Sequence, residues 1–311
     1  MKNFKDILLL YLKGVAMGSA DVVPGVSGGT IAFITGIYEK LLNSISSIDL
    51  QALAYLRKFE IKSLWQHING NFLVVLGGGI LTSLIVFVNI ITELLEKHPI
   101  QVWSFFFGLI VISALIILRE IKKWSAGVFL VILLGIAVAY FITEAVPAET
   151  PDAPWFIFIA GAVAICAMVL PGISGAFILL LFGKYEYIFK ALKEVSIVDI
   201  VALALGCIVG LLSFARVVSW LFKKYHNLTV ALLSGFMIGS LNRVWPWKVT
   251  VESYLDRHGE LKPLVEKNVL PMDYLEATQK DSFFLQAVIF AAAGFLIVLA
   301  IDRLAAYLKD H

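Results

Sequence analysis

Ser27-Gly28-Gly29-Thr30 places two hydroxyls and three unshielded backbone N–H groups directly after a Pro24-Gly25 break. A helix restarting there takes Ser27 as its N-cap. It turns its first N–H groups and the positive end of its dipole toward the break, and such an end binds anions. The phrase occurs twice. Val23-Pro24-Gly25-Val26-Ser27-Gly28 returns as Leu170-Pro171-Gly172-Ile173-Ser174-Gly175, and Gly36, Tyr38 and Glu39 return as Gly183, Tyr185 and Glu186. Seven identities hold at one offset of 147 residues, so the chain reads as a duplicated fold. Ser174 stands where the second N-cap belongs, and two such ends facing each other, Ser27–Thr30 and Ser174-Gly175, would hold a carboxylate or a phosphate group. The plainer alternative is that Pro-Gly-x-Ser-Gly only permits tight turns and close packing of small residues.

Other side chains could complete that chemistry. Arg216 is the only basic residue well inside an apolar segment. At such depth an arginine costs at least ~2.5 kcal/mol on insertion scales, which marks it as functional unless it snorkels to the interface. Its planar fork suits the two oxygens of a phosphate, and its counterpart in the first half, Asn89, is a polar hydrogen-bonder. Asp21 lies three residues before Pro24, where the second half has Met168. A buried acid beside an anion site could carry a coupling proton or a sodium ion, and the alternative is that it bonds the exposed backbone of the break. Glu39 and Glu186 fall ~18 Å past the cap serines along a helix, as solvated ends or as gates. Asn242 and Arg243, before Trp245-Pro246-Trp247, form either a head-group vestibule or an interfacial anchor. No histidine pair has metal-ligand spacing and no nucleotide loop is present, so neither metal nor cofactor is expected.

The elements that must position these residues are set by composition. The chain is 60% hydrophobic and only 15% charged, with a mean hydropathy of +0.89, which indicates an all-α polytopic membrane protein. A net charge of +2 gives no argument for nucleic acid. Cys166 and Cys207 lie in apolar segments and read as packing residues, and no cleavable signal peptide is expected. A second offset of 127 residues relates Gly79 to Gly206, Phe87 to Phe214 and Gly108 to Gly235. The expected first repeat is 1–148, with a hairpin at 7–42 and spans near 71–93, 100–118 and 126–143. The second is 149–311, with a hairpin at 154–190 and spans near 200–222, 228–242 and 283–301.

The flanks of each Pro-Gly are too short to span, so both hairpins are expected to be re-entrant, with the motifs at their tips. Three spans per half is an odd number, which inverts the second half relative to the first. With both termini cytoplasmic, 14 basic residues fall inside and ten outside, six of those ten in or beside the long loop 244–281 where the positive-inside rule has little force.

Gly18-Ser-Ala-Asp21-Val-Val-Pro24-Gly25-Val-Ser27-Gly28-Gly29-Thr30, the second Leu170–Gly175 motif and the Gly235–Gly239 segment with Trp245-Pro-Trp together resemble the PopT family of bacterial membrane proteins. The resemblance covers nearly the whole chain. It implies translocation of undecaprenyl phosphate, the lipid carrier of cell-wall synthesis, from the outer to the inner leaflet of the cytoplasmic membrane. Two other readings stay open. BacA-type lipid pyrophosphate phosphatases share the opening Pro-Gly-x-Ser, but Gly28 and Gly29 stand where their Arg and second Ser would be. A secondary transporter of a soluble anion would share the anion site but needs a water-filled path, for which Arg216 and Asp21 supply few polar groups. Oligomeric state is not legible.

Overall fold

Proline and glycine punctuate the chain at the same places in both halves. The computed structural model describes residues 4–23, 26–255 and 261–310; the side chains of 254–255, 261–262, 264 and 304–310 are not described. Of the expected hairpin breaks, Pro24 and Gly25 lie outside the described residues. In chain order come α1 (Phe4–Val22), α2 (Gly28–Ile34), α3 (Tyr38–Ser46), α4 (Leu50–Arg57), α5 (Ile61–His67), α6 (Gly70–Lys97), α7 (Pro99–Leu118) and α8 (Ala126–Glu144). They are followed by α9 (Pro154–Val169), α10 (Gly175–Leu181), α11 (Tyr185–Lys193), α12 (Ile197–Ser240), β1 (Lys248–Leu255), β2 (Leu261–Asn268), α13 (Pro271–Thr278) and α14 (Phe284–Asp310).

Each motif segment is a helix, a break, a seven-residue helix, a glycine turn and a nine-residue helix: α1-α2-α3 and α9-α10-α11. The turns need positive φ, which Gly36 (+69°) and Gly183 (+62°) supply without a Cβ clash. Among the described residues five helices, α6, α7, α8, α12 and α14, are long and apolar enough to cross a membrane, and the protein is a multi-pass helical membrane protein. The 44-residue α12 is two limbs, because Tyr225 leaves helical backbone at φ −134°, ψ 47°. The antiparallel β1–β2 ribbon and α13 fold a segment that reads as an outer loop in sequence. Its strands carry charges at several positions and lack a clean apolar alternation, so periodicity does not announce them.

Helices in lipid associate by close backbone approach at small residues, and here the approaches recur in pairs. A Cβ added to Gly14 or to Gly161 would fall under 3.0 Å from the carbonyl oxygen of Leu76 or Leu203, respectively. One added to Gly79 or to Gly206 would meet the carbonyl of Tyr11 or Phe158 in the same way. These contacts pack α1 on α6 and α9 on the first limb of α12, and they match at the offsets of 147 and 127 residues. A further pair packs α7 on α14, Gly108 lying against Ala291 and Gly294 against Phe105, and α12 on α8, where Gly235 and Gly135 meet. It relates α8 to α14 at an offset of 159 residues, which two glycines alone do not reveal in sequence.

These approaches make a stability prediction. Gly206→Leu should abolish recovery of monodisperse protein on detergent size-exclusion chromatography, since its Cβ would collide with the backbone of Phe158. Gly77→Leu, whose Cβ meets nothing within 4 Å, should elute as the parent does.

Candidate functional site

The two motif segments meet at their breaks, the tips. Ser27 is extended (φ −126°, ψ 137°) before α2, and its Oγ accepts a hydrogen bond from the Gly29 amide at 3.0 Å while donating to the Met168 carbonyl at 2.7 Å. From the other tip, the Gly172 amide donates to Thr30 Oγ1 at 3.0 Å. Gly29 must be glycine for this approach, because a Cβ there would fall under 3.0 Å from the Val169 carbonyl oxygen. Gly172 turns its tip at φ +89° and lies against Phe236 and Ser240 of α12. Ser27, Gly28, Gly29, Thr30, Pro171, Gly172, Ser174 and Gly175 are all buried.

The tips differ in what they offer an anion. At α2 the Gly28 amide is taken by Asp21 Oδ1 at 2.7 Å, and the Gly29 amide by Ser27. That is the backbone bond anticipated as the plainer role of Asp21. It also puts a carboxylate where an incoming phosphate would sit. At α10, Ser174 is extended (φ −93°, ψ 130°), and among the described residues no side-chain hydrogen bond caps the helix. Met168, the counterpart of Asp21, lends only its carbonyl to Ser27. The second tip therefore keeps donors that the first has already spent.

The remaining expected site residues do not gather at the tips. Arg216 is exposed on α12, where its Nη2 donates to the Ile48 carbonyl at 2.7 Å, just beyond α3. An exposed arginine turns its fork to a carbonyl within reach, and Ile48, beyond the end of α3, supplies one. Asn89 is exposed on α6. Glu39 is exposed in the first turn of α3, 3.4 Å from His226 Nε2, and Glu186 is half-buried in the first turn of α11. Beside Glu39, Ser219 Oγ bonds Asn43, tying α12 to α3.

A different arginine approaches the second tip. Arg243 follows α12 by three residues and holds its guanidinium 4.8 Å from the ring centroid of Phe177, in the first turn of α10. Asn242 beside it donates to Glu144 Oε1 at 2.6 Å and accepts from Asn268 Nδ2 at 2.8 Å, so the ribbon is pinned to the end of α8. The signal for Arg243 was its place before Trp245-Pro246-Trp247; its partners on the ribbon had none. Among the described residues, no three His, Cys, Asp or Glu side chains gather into a metal site.

A family model described as VCA0040-like, undecaprenyl phosphate translocase-like, matches residues 17–262. The chain belongs to this family. A polyprenyl-phosphate transporter of Vibrio cholerae is 43% identical over 300 residues, covering 96% of this chain and 97% of that protein. A polyprenyl-phosphate transporter of Staphylococcus aureus is 34% identical over 265 residues, covering 79% of this chain and 88% of its own. No solved structure matches the chain at a significant level. In this translocase-like member, the matched segment includes Asp21, both tips, Arg216 and Arg243, and ends inside β2.

Proposed function

We propose that the protein moves undecaprenyl phosphate across the bacterial cytoplasmic membrane, from the outer to the inner leaflet, and so returns the lipid carrier for peptidoglycan synthesis. The relatives are transporters by name and not enzymes, which sets the phosphatase reading aside. The observation that carries the proposal in this chain is the direct bonding of the two tips, Ser27 to Met168 and Thr30 to Gly172.

A re-entrant inverted repeat brings one tip from each leaflet to a common level, with both termini cytoplasmic and the hairpins opening to opposite sides. The phosphate binds between the tips, on the uncapped start of α10 and the donors of Ser27–Thr30, while the prenyl tail stays in surrounding membrane lipid. Its arrival displaces the Asp21 carboxylate from Gly28, because two anions repel at one helix end. Asp21 then takes up a proton or a sodium ion, which couples the step to a gradient. Arg216, at the α3 end, receives the phosphate as it leaves, and Glu39 and Glu186 flank the two mouths.

Transport and hydrolysis are separated by one purified-protein measurement. Given undecaprenyl pyrophosphate, the protein should release no inorganic phosphate. It should bind labelled undecaprenyl phosphate in a manner competed by the unlabelled lipid. Phosphate release that scales with protein and vanishes in Ser27→Ala would contradict the proposal.

A further inference from the structure

We propose that Arg243 and Lys248 form a binding site for a phosphomonoester at the β-ribbon end of the molecule, where the head group is captured before it reaches the tips. Resting on the transport reading above, this inference names where that substrate first docks. Arg243 Nη1 lies 3.3 Å from Glu266 Oε2, and Lys248 Nζ donates to the Arg243 carbonyl at 2.6 Å. Lys248 also sits 3.9 Å from the ring centroid of Trp103 on α7, and Arg243 packs on Phe177 of α10. Two cations thus share one carboxylate against aromatic walls. Charge buried in such surroundings is unfavourable until an anion balances it.

Three further observations point to an oxyanion. Arg243 Nε is buried and has no hydrogen-bond partner among the described residues, although its fork is built to give two parallel bonds to one phosphate. Burial pushes the Lys248 ammonium down to about 7, with Arg243 acting in the same direction and Glu266 opposing; these two are the charged groups acting on it among the described residues. A lysine held near its neutral point by burial is restored to its charged form by an arriving phosphate. Finally, Asn242, the neighbour of Arg243, lines an open cavity of about 600 Å³ together with Trp245, Asn268 and Phe107. A polar head group can enter there, next in the chain to Arg243, whose guanidinium packs on Phe177 of α10.

The test is equilibrium binding to the full-length protein in nanodiscs, with a short-chain polyprenyl phosphate, its polyprenol and inorganic phosphate as separate probes. Arg243→Gln should weaken binding of the polyprenyl phosphate about tenfold or more and leave polyprenol unchanged, and Arg243→Lys should recover only part. The parent's affinity should fall as pH rises through 7, because the charge of Lys248 is present below that value and lost above it. Lys248→Met should be weaker throughout and flat across that range, which keeps the proposal falsifiable if Arg243→Gln does not fold. Equal binding of the polyprenyl phosphate by the parent and both variants would overturn this site and leave the transport reading standing. Arg243-dependent binding of inorganic phosphate alone, with none of the polyprenyl phosphate, would keep an oxyanion site and overturn the transport reading.

Discussion

Gly29→Val is expected to reduce transport to the level of protein-free liposomes while leaving the membrane helices assembled. Its Cβ would fall under 3.0 Å from the Val169 carbonyl and close to Ser27 Oγ, so the two tips cannot approach, and the obstacle is backbone that cannot move aside cheaply. The Ser27–Met168 and Thr30–Gly172 bonds are lost together. Because α1 packs on α6 and α9 on α12 through glycines remote from the tips, the variant should still elute as folded protein. Near-normal transport by folded Gly29→Val would show that contact between the tips is dispensable.

Asp21→Asn is expected to remove the dependence of transport on a pH or sodium gradient. The amide oxygen can still accept from Gly28 N–H, so the tip keeps its shape, but the side chain can no longer ionise. Asp21→Ala should be worse, because it leaves the Gly28 amide without that partner as well, a loss of about 1–3 kcal/mol for a buried donor. An Asp21→Asn protein that responds to both gradients as the parent does would return Asp21 to a purely structural role.

How much of this was legible in the sequence depends on the range of the interaction. Ser27 as an N-cap and the long apolar helices follow from local rules, and the structure has them, whereas the helix expected to run on from Ser27 to Glu39 and from Ser174 to Glu186 is broken by positive-φ turns at Gly36 and Gly183. The asymmetry of Asp21 and Met168 was visible too, though its consequence, one capped and one uncapped helix start, needed coordinates. The partner of Arg216 was not legible, because depth in an apolar segment says nothing about which way a side chain points; here it reaches the carbonyl of Ile48 beyond α3. The ribbon partner Glu266 was silent, since its meeting with Arg243 depends on a strand register that charged, irregular sequence does not specify. The 159-residue offset from α8 to α14 likewise rests on single glycines whose meaning is a contact between helices far apart in the chain.

The central claim is that this protein carries a polyprenyl phosphate between leaflets by way of its meeting tips. Reconstitution in liposomes with a leaflet-resolved assay of undecaprenyl phosphate tests it most directly, run with the parent, with Gly29→Val and with and without an imposed pH or sodium gradient. The account predicts protein-dependent movement of the lipid that a gradient accelerates in the parent and that Gly29→Val abolishes. Movement no faster than in protein-free liposomes under every gradient, by parent protein verified as folded, would contradict it.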